Sequence, residues 1–97
     1  MKRNAFISGG AKGIGKAITL ELANAGFSVA IGYKTSQAQA LELVKTLQER
    51  GVNAIAVEVD CADIESVKRA YAQIKASLGF VDTLINNACV SLIQPVY

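Results

Sequence analysis

At 97 residues, 52% of them hydrophobic and with a formal net charge of +2, the chain has room for one small core and too much apolar content for a disordered segment. Its cations form nothing longer than the pairs Lys2-Arg3 and Lys68-Arg69, so neither nucleic acid nor an anionic membrane is an expected partner. No apolar run approaches the roughly 20 residues of a membrane span, and Gly9, Gly10 and Lys12 interrupt the N-terminal run too early for a signal peptide, so a cytoplasmic location is the expectation.

Asn4-Ala5-Phe6-Ile7 reads as a buried strand that runs into the turn Ser8-Gly9-Gly10-Ala11-Lys12-Gly13-Ile14-Gly15. A strand that reverses into a helix within a few residues needs backbone angles that a Cβ penalises. A helix starting near Gly13 aims its unpaired N–H groups and positive dipole end into that turn, which therefore favours an anion, a pyrophosphate above all. The helix is predicted to bury Ile14, Ala17, Ile18, Leu22 and Ala25 and to end at Gly26.

Residues 27–33 form a second predicted strand, with Lys34 and Thr35 at its C-terminal edge. Ser36 and Gln39 make a capping box for a helix striped by Ala40, Leu41, Val44 and Leu47, which stops at Gly51. Residues 52–59 are the third strand, leading into Asp60. Asp63 caps a third helix with apolar positions Ile64, Val67, Tyr71, Ile74 and Leu78, so Tyr71 reads as core rather than ligand, and Gly79 closes the helix. Residues 82–87 are the fourth strand and 88–97 a loop.

Four strands alternating with three helices specify an α/β fold with right-handed crossovers, the N-terminal part of a Rossmann-type doubly wound parallel sheet in strand order 3-2-1-4. In that order Cys61 and Cys89 end strands about 14 Å apart at ~4.8 Å per gap, too far for a disulfide. The chain has no histidine, which excludes a Cys/His zinc site.

The spacing Gly9-x-x-x-Gly13-x-Gly15 resembles the Thr-Gly-x-x-x-Gly-x-Gly signature of the short-chain dehydrogenase/reductase family, with Ser8 where Thr is usual. Asp60-Cys61-Ala62-Asp63 is similar to that family's Asp-Val-x-Asp, and Asn86-Asn87-Ala88-Cys89 to its Asn-Asn-Ala-Gly, with Cys89 as the departure. The resemblance implies hydride transfer between a nicotinamide dinucleotide and a small carbonyl or hydroxyl compound, and residues 90–97 look like the corresponding loop of 3-oxoacyl reductases in the family. It also implies roles: Gly9, Gly13, Ile14 and Gly15 at the diphosphate, Asp60 at the adenine amino group with Cys61 beside the base, and Asn87 and Ala88 near the ribose.

No Asp or Glu stands at the end of the second strand to hold the two ribose hydroxyls of NAD. Lys12, Lys34 and the hydroxyls of Thr35 and Ser36 would instead accept a 2′-phosphate through charge-assisted contacts, so NADP(H) is expected over NAD(H). The family's catalytic Ser, Tyr and Lys are expected on elements after residue 97, and no catalytic residue is assigned. Residues 1–97 are thus read as the cofactor-binding part of a longer enzyme, homo-oligomeric in its full-length form. The alternative is a truncated or regulatory nucleotide-binding module without catalysis. In a complete domain of this kind the fourth strand would be central; if the 97 residues are the whole product, Thr83-Leu84-Ile85 is expected to present an unpaired apolar edge that invites association.

Overall fold

The computed structural model describes residues 3–86. Strand β1 (Asn4–Ser8) leads through the glycine turn into helix α1 (Gly13–Asn24), followed by β2 (Ser28–Tyr33), α2 (Gln37–Glu49), β3 (Ala54–Glu58), α3 (Ile64–Ser77) and β4 (Thr83–Asn86). The four strands form one sheet in the order β3-β2-β1-β4, and every pair is parallel, as the alternation of elements requires. Chain reversal at the end of α1 follows the glycine-terminated pattern. Gly26 takes φ +97°, and the Phe27 amide returns to the Leu22 carbonyl at 3.0 Å.

Two cores flank the sheet. On one face Ala5, Ile7, Val29 and Ile31 pack beneath α1 and α2 against Ala23, Ala40, Leu43, Val44 and Leu47. On the other, Phe6, Ala30, Val57 and Val59 meet Ala70 and Ile74 of α3. The strands alternate between these faces, so β1 and the first five residues of β2 are buried along their length. Two side-chain anchors fix the bottom of β1. The Asn4 amide group donates to the Leu78 and Phe80 carbonyls at 3.0 and 2.9 Å, and the Asn4 backbone N–H donates to Asp82 Oδ2 at 3.0 Å.

The helices bury the predicted stripes only in part: Ala40, Val44 and Leu47 of α2 and Ile74 of α3 are buried as expected, whereas other positions depart. In α1 the buried positions are Gly15, Thr19 and Ala23; Ile14 is 73% exposed, and Ala17 and Ala25 are exposed too. In α2 Leu43 takes the place expected of Leu41, which is 52% exposed. In α3 Ser66, Ala70 and Ile74 face the sheet, Ile64 is exposed, and Tyr71 lies at the rim with its ring edge-on to Phe6, centroids 5.5 Å apart. The physical reason is the same in α1 and α3: a helix approaches a sheet most closely over its smallest side chains, so Ala, Gly, Ser and Thr occupy the contact line and larger residues flank it. Ser36 stands at the N-cap of α2, but its side chain makes no capping hydrogen bond, so the capping box with Gln39 does not form. Asp63 does cap α3, its Oδ1 accepting from the Glu65 amide at 3.0 Å.

Candidate functional site

The carboxyl ends of the parallel strands lie on one side of the sheet, and the glycine turn sits there between β1 and α1. Gly9 and Gly13 adopt φ +69° and +55°, in the left-handed region where a Cβ is penalised. Gly10 is required for a different reason. A Cβ added there would stand 2.9 Å from Thr19 Oγ1 and 3.0 Å from the Ile7 carbonyl oxygen. Thr19, completely buried, lies within hydrogen-bond distance of the Gly10 and Gly15 carbonyls at 3.2 and 2.9 Å, a strut behind the turn that a hydropathy pattern does not reveal. Lys12 is the N-cap of α1 and lends no side-chain cap, and no acidic residue occupies the first helical turn. The N-terminal end of α1 therefore meets the turn with its positive dipole uncompensated by a carboxylate.

A cleft of about 210 Å³ runs from this turn to the end of β2, lined by Gly9, Lys12, Gly32, Lys34, Thr35 and Ser36. Two cations 22 positions apart in the chain thus share one cleft with two hydroxyl-bearing residues. The Gly32 carbonyl joins its walls by accepting from the Gly9 and Gly10 amides at 2.9 and 3.2 Å. Gly32 tolerates nothing larger, since a Cβ would meet Phe6 Cε1 at 2.8 Å and Val59 Cγ1 at 3.0 Å.

A larger neighbouring cavity of about 470 Å³ opens between the ends of β2 and β3 and the first turns of α3, with Lys34, Thr35, Glu58, Asp60, Ser66 and Arg69 in its wall. Lys34 Nζ lies 3.7 Å from Asp60 Oδ2 across this cavity. The sequence does not signal Ser66, Arg69 or Glu58 as members of the site, because each sits there only through the pairing of β2 with β3 and the packing of α3.

The structure therefore brings Gly9, Lys12, Lys34, Thr35 and Asp60 together at one sheet edge, with Gly13 and Gly15 opening α1 beside them. Ile14, expected on the buried face of α1, projects at its exposed start instead. Cys61 lies apart, in an apolar niche of about 190 Å³ shared with Phe6, Val67, Tyr71 and Leu84. Asn87 and Ala88, and with them Cys89, lie outside the described residues.

Contrary to the expectation that no tyrosine of the chain has a lysine four residues on, Tyr71-Ala72-Gln73-Ile74-Lys75 carries that Tyr-x-x-x-Lys spacing. The geometry assigns it no proton-transfer role. Burial pushes the Tyr71 hydroxyl above its ordinary value, opposite to the shift a proton donor activated by lysine requires. Lys75 Nζ is placed 4.9 Å above the Phe80 ring rather than in the strand-end cleft.

Among the described residues no helix is long and apolar enough to cross a membrane. The family model for short chain dehydrogenases matches residues 3–97. The 3-oxoacyl-[acyl-carrier-protein] reductase FabG of Staphylococcus aureus is 33% identical over 91 residues, which make up 94% of this chain and 37% of that protein, so the chain spans little more than a third of that relative's length. The short-chain dehydrogenase/reductase homolog YusS of Bacillus subtilis is 37% identical over 91 residues, 94% of this chain and 84% of that protein. Among solved structures, a blue fluorescent protein from a metagenomic library in complex with NADPH matches with TM-score 0.83 and 39% identity, over 88% of this chain and 35% of that one.

Proposed function

Because the chain belongs to the short chain dehydrogenase family, we propose that residues 1–97 are the cofactor-binding part of an NADP(H)-dependent oxidoreductase acting on a small carbonyl or hydroxyl compound, with a 3-oxoacyl thioester as the leading candidate. One observation carries the choice of cofactor: Lys12 and Lys34 line the same cleft as Thr35 and Ser36, next to a helix N-terminus with no acidic residue in its first turn. That donor set fits a dinucleotide bearing an extra phosphate, since a diphosphate is matched by backbone amides and a phosphate monoester by two ammonium groups with flanking hydroxyls.

On this reading the amides of Gly13, Ile14 and Gly15 hold the diphosphate, while the left-handed turn at Gly9 lets the main chain come close to it. Lys12, Lys34 and Thr35 take the 2′-phosphate. Asp60 accepts from the adenine amino group with the backbone at Cys61 beside the base, while the Cys61 side chain lines the apolar niche, and Asn87 and Ala88 border the ribose. When bound, the nicotinamide supplies or receives the hydride. The residues of this chain bind and orient it, and none is assigned the transfer of the substrate proton. The likeness to 3-oxoacyl-[acyl-carrier-protein] reductase supports the substrate class, and the NADPH-bound neighbour supports the cofactor.

The experiment is a fluorescence titration of the folded chain with NADPH and NADH. Saturable NADPH binding at least tenfold tighter than NADH is expected. Equal affinities would remove the case for Lys12 and Lys34 as 2′-phosphate ligands, and no binding of either would overturn the cofactor reading.

A further inference from the structure

We infer that Ser66 is a positioning residue for the adenosine end of the cleft, acting through Asp60; this rests on the cofactor reading above. Ser66 is the third residue of α3 and only 7% exposed, an unusual place for a hydroxyl on a helix face that otherwise meets the sheet through Ala70 and Ile74. Its Oγ accepts the Asp60 backbone N–H at 2.8 Å. The remaining polar groups of Asp60 are committed as well. Its carbonyl accepts from the Asp63 amide at 2.9 Å, its Oδ1 accepts from the Ala62 amide at 3.0 Å, and its Oδ2 faces Lys34. Three groups of Asp60 are thus held within the chain, and its Oδ2 faces Lys34 across the cavity.

Of these anchors only the Ser66 hydroxyl comes from a helix packed on the core, so it ties the direction of the Asp60 carboxylate to the rigid part of the fold. Without it the Asp60 amide loses its partner, and the turn is held within the chain only by the neighbouring Ala62 and Asp63 amides. The carboxylate then samples orientations in which neither Lys34 nor an adenine amino group meets it. Ser66 touches no ligand on this account. It sets where Asp60 points.

The test uses the whole chain with two probes that separate the ends of the cleft: adenosine 2′,5′-bisphosphate for the adenosine end and inorganic pyrophosphate for the glycine turn. Ser66→Ala is expected to weaken adenosine 2′,5′-bisphosphate about tenfold while leaving pyrophosphate unchanged, to shift the Asp60 amide proton in NMR spectra without ligand, and to be rescued on both counts by Ser66→Thr. An unchanged bisphosphate affinity, an equal loss for both probes, or an alanine variant that Thr does not outperform would overturn the positioning role. Failure of the parent chain to bind either probe would instead overturn the cofactor reading itself, and this inference with it.

Discussion

Lys34 Nζ stands 3.7 Å from Asp60 Oδ2, joining the ends of β2 and β3 across the cavity where both residues are proposed to meet the cofactor. The two side chains are 67% and 39% exposed, so the pair adds little to folding. Its interest is functional: on the proposed reading a 2′-phosphate would compete with Asp60 for the same ammonium.

Lys34→Ala is therefore expected to leave the melting temperature almost unchanged and to weaken NADPH by about tenfold or more, the scale of one charge-assisted contact, with NADH unaffected. Parallel titrations of both cofactors and a thermal melt check it. An equal loss for NADH would place Lys34 elsewhere than at the 2′-phosphate.

Two glycines of the turn should fail differently. Gly13→Ala meets no atom within 4 Å and carries only the cost of φ +55°, on the order of 1 kcal/mol. Gly10→Ala drives a methyl against Thr19 Oγ1 and the Ile7 carbonyl, and should destabilise by about 1–3 kcal/mol through overpacking. Urea denaturation of the two variants gives the comparison, and the larger loss belongs to Gly10.

Ile74→Ala removes a fully buried side chain between α3 and the sheet and should lower stability by about 2–5 kcal/mol. Ile14→Ala, at a position 73% exposed, should change it by less than about 0.5 kcal/mol. The reverse order would mean that α1 packs by its predicted stripe after all.

Asn4→Ala leaves the Leu78 and Phe80 carbonyls without their donor at the junction of α3 and β4, a loss of about 1–3 kcal/mol. Hydrogen exchange should then quicken first at the C-terminal end of α3 and in β4. A uniform rise over the whole sheet would contradict this local role.

Tyr71 has its hydroxyl pushed above the ordinary value of 10.0 by burial. A raised folded pKa means that the native state holds the proton longer than the unfolded chain. The associated stability is present below pH 10.0 and is lost as the pH rises through the folded value. Tyr71→Phe should lessen the alkaline fall in stability, measured by denaturant unfolding on either side of that pH.

The strand order and the glycine turn were legible in the sequence because both follow from backbone constraints: parallel crossovers have one hand, and Gly9 and Gly13 mark angles that other residues avoid. The helix faces were legible only in part: Ala40, Val44 and Leu47 of α2 and Ile74 of α3 are buried as their spacing predicts, but α1 is not packed by its stripe. α1 is apolar nearly all round, and its contact line runs through Gly15, Thr19 and Ala23, where small size decides and hydropathy does not. Ser66 and Thr19 escaped notice for the same reason, as hydroxyls that a pattern of apolar spacing treats as surface. Tyr71 and Lys75 are the reverse case, a spacing that matches a catalytic pattern in residues whose surroundings do not suit it.

The Gly32 carbonyl receives the amides of both Gly9 and Gly10. The turn behind α1 and the strand end that carries Lys34 are thereby tied to each other through main-chain hydrogen bonds. On the proposed reading, cofactor association would resemble docking onto a prefabricated cradle, and its rate should track diffusion and charge attraction more than any slow closing motion.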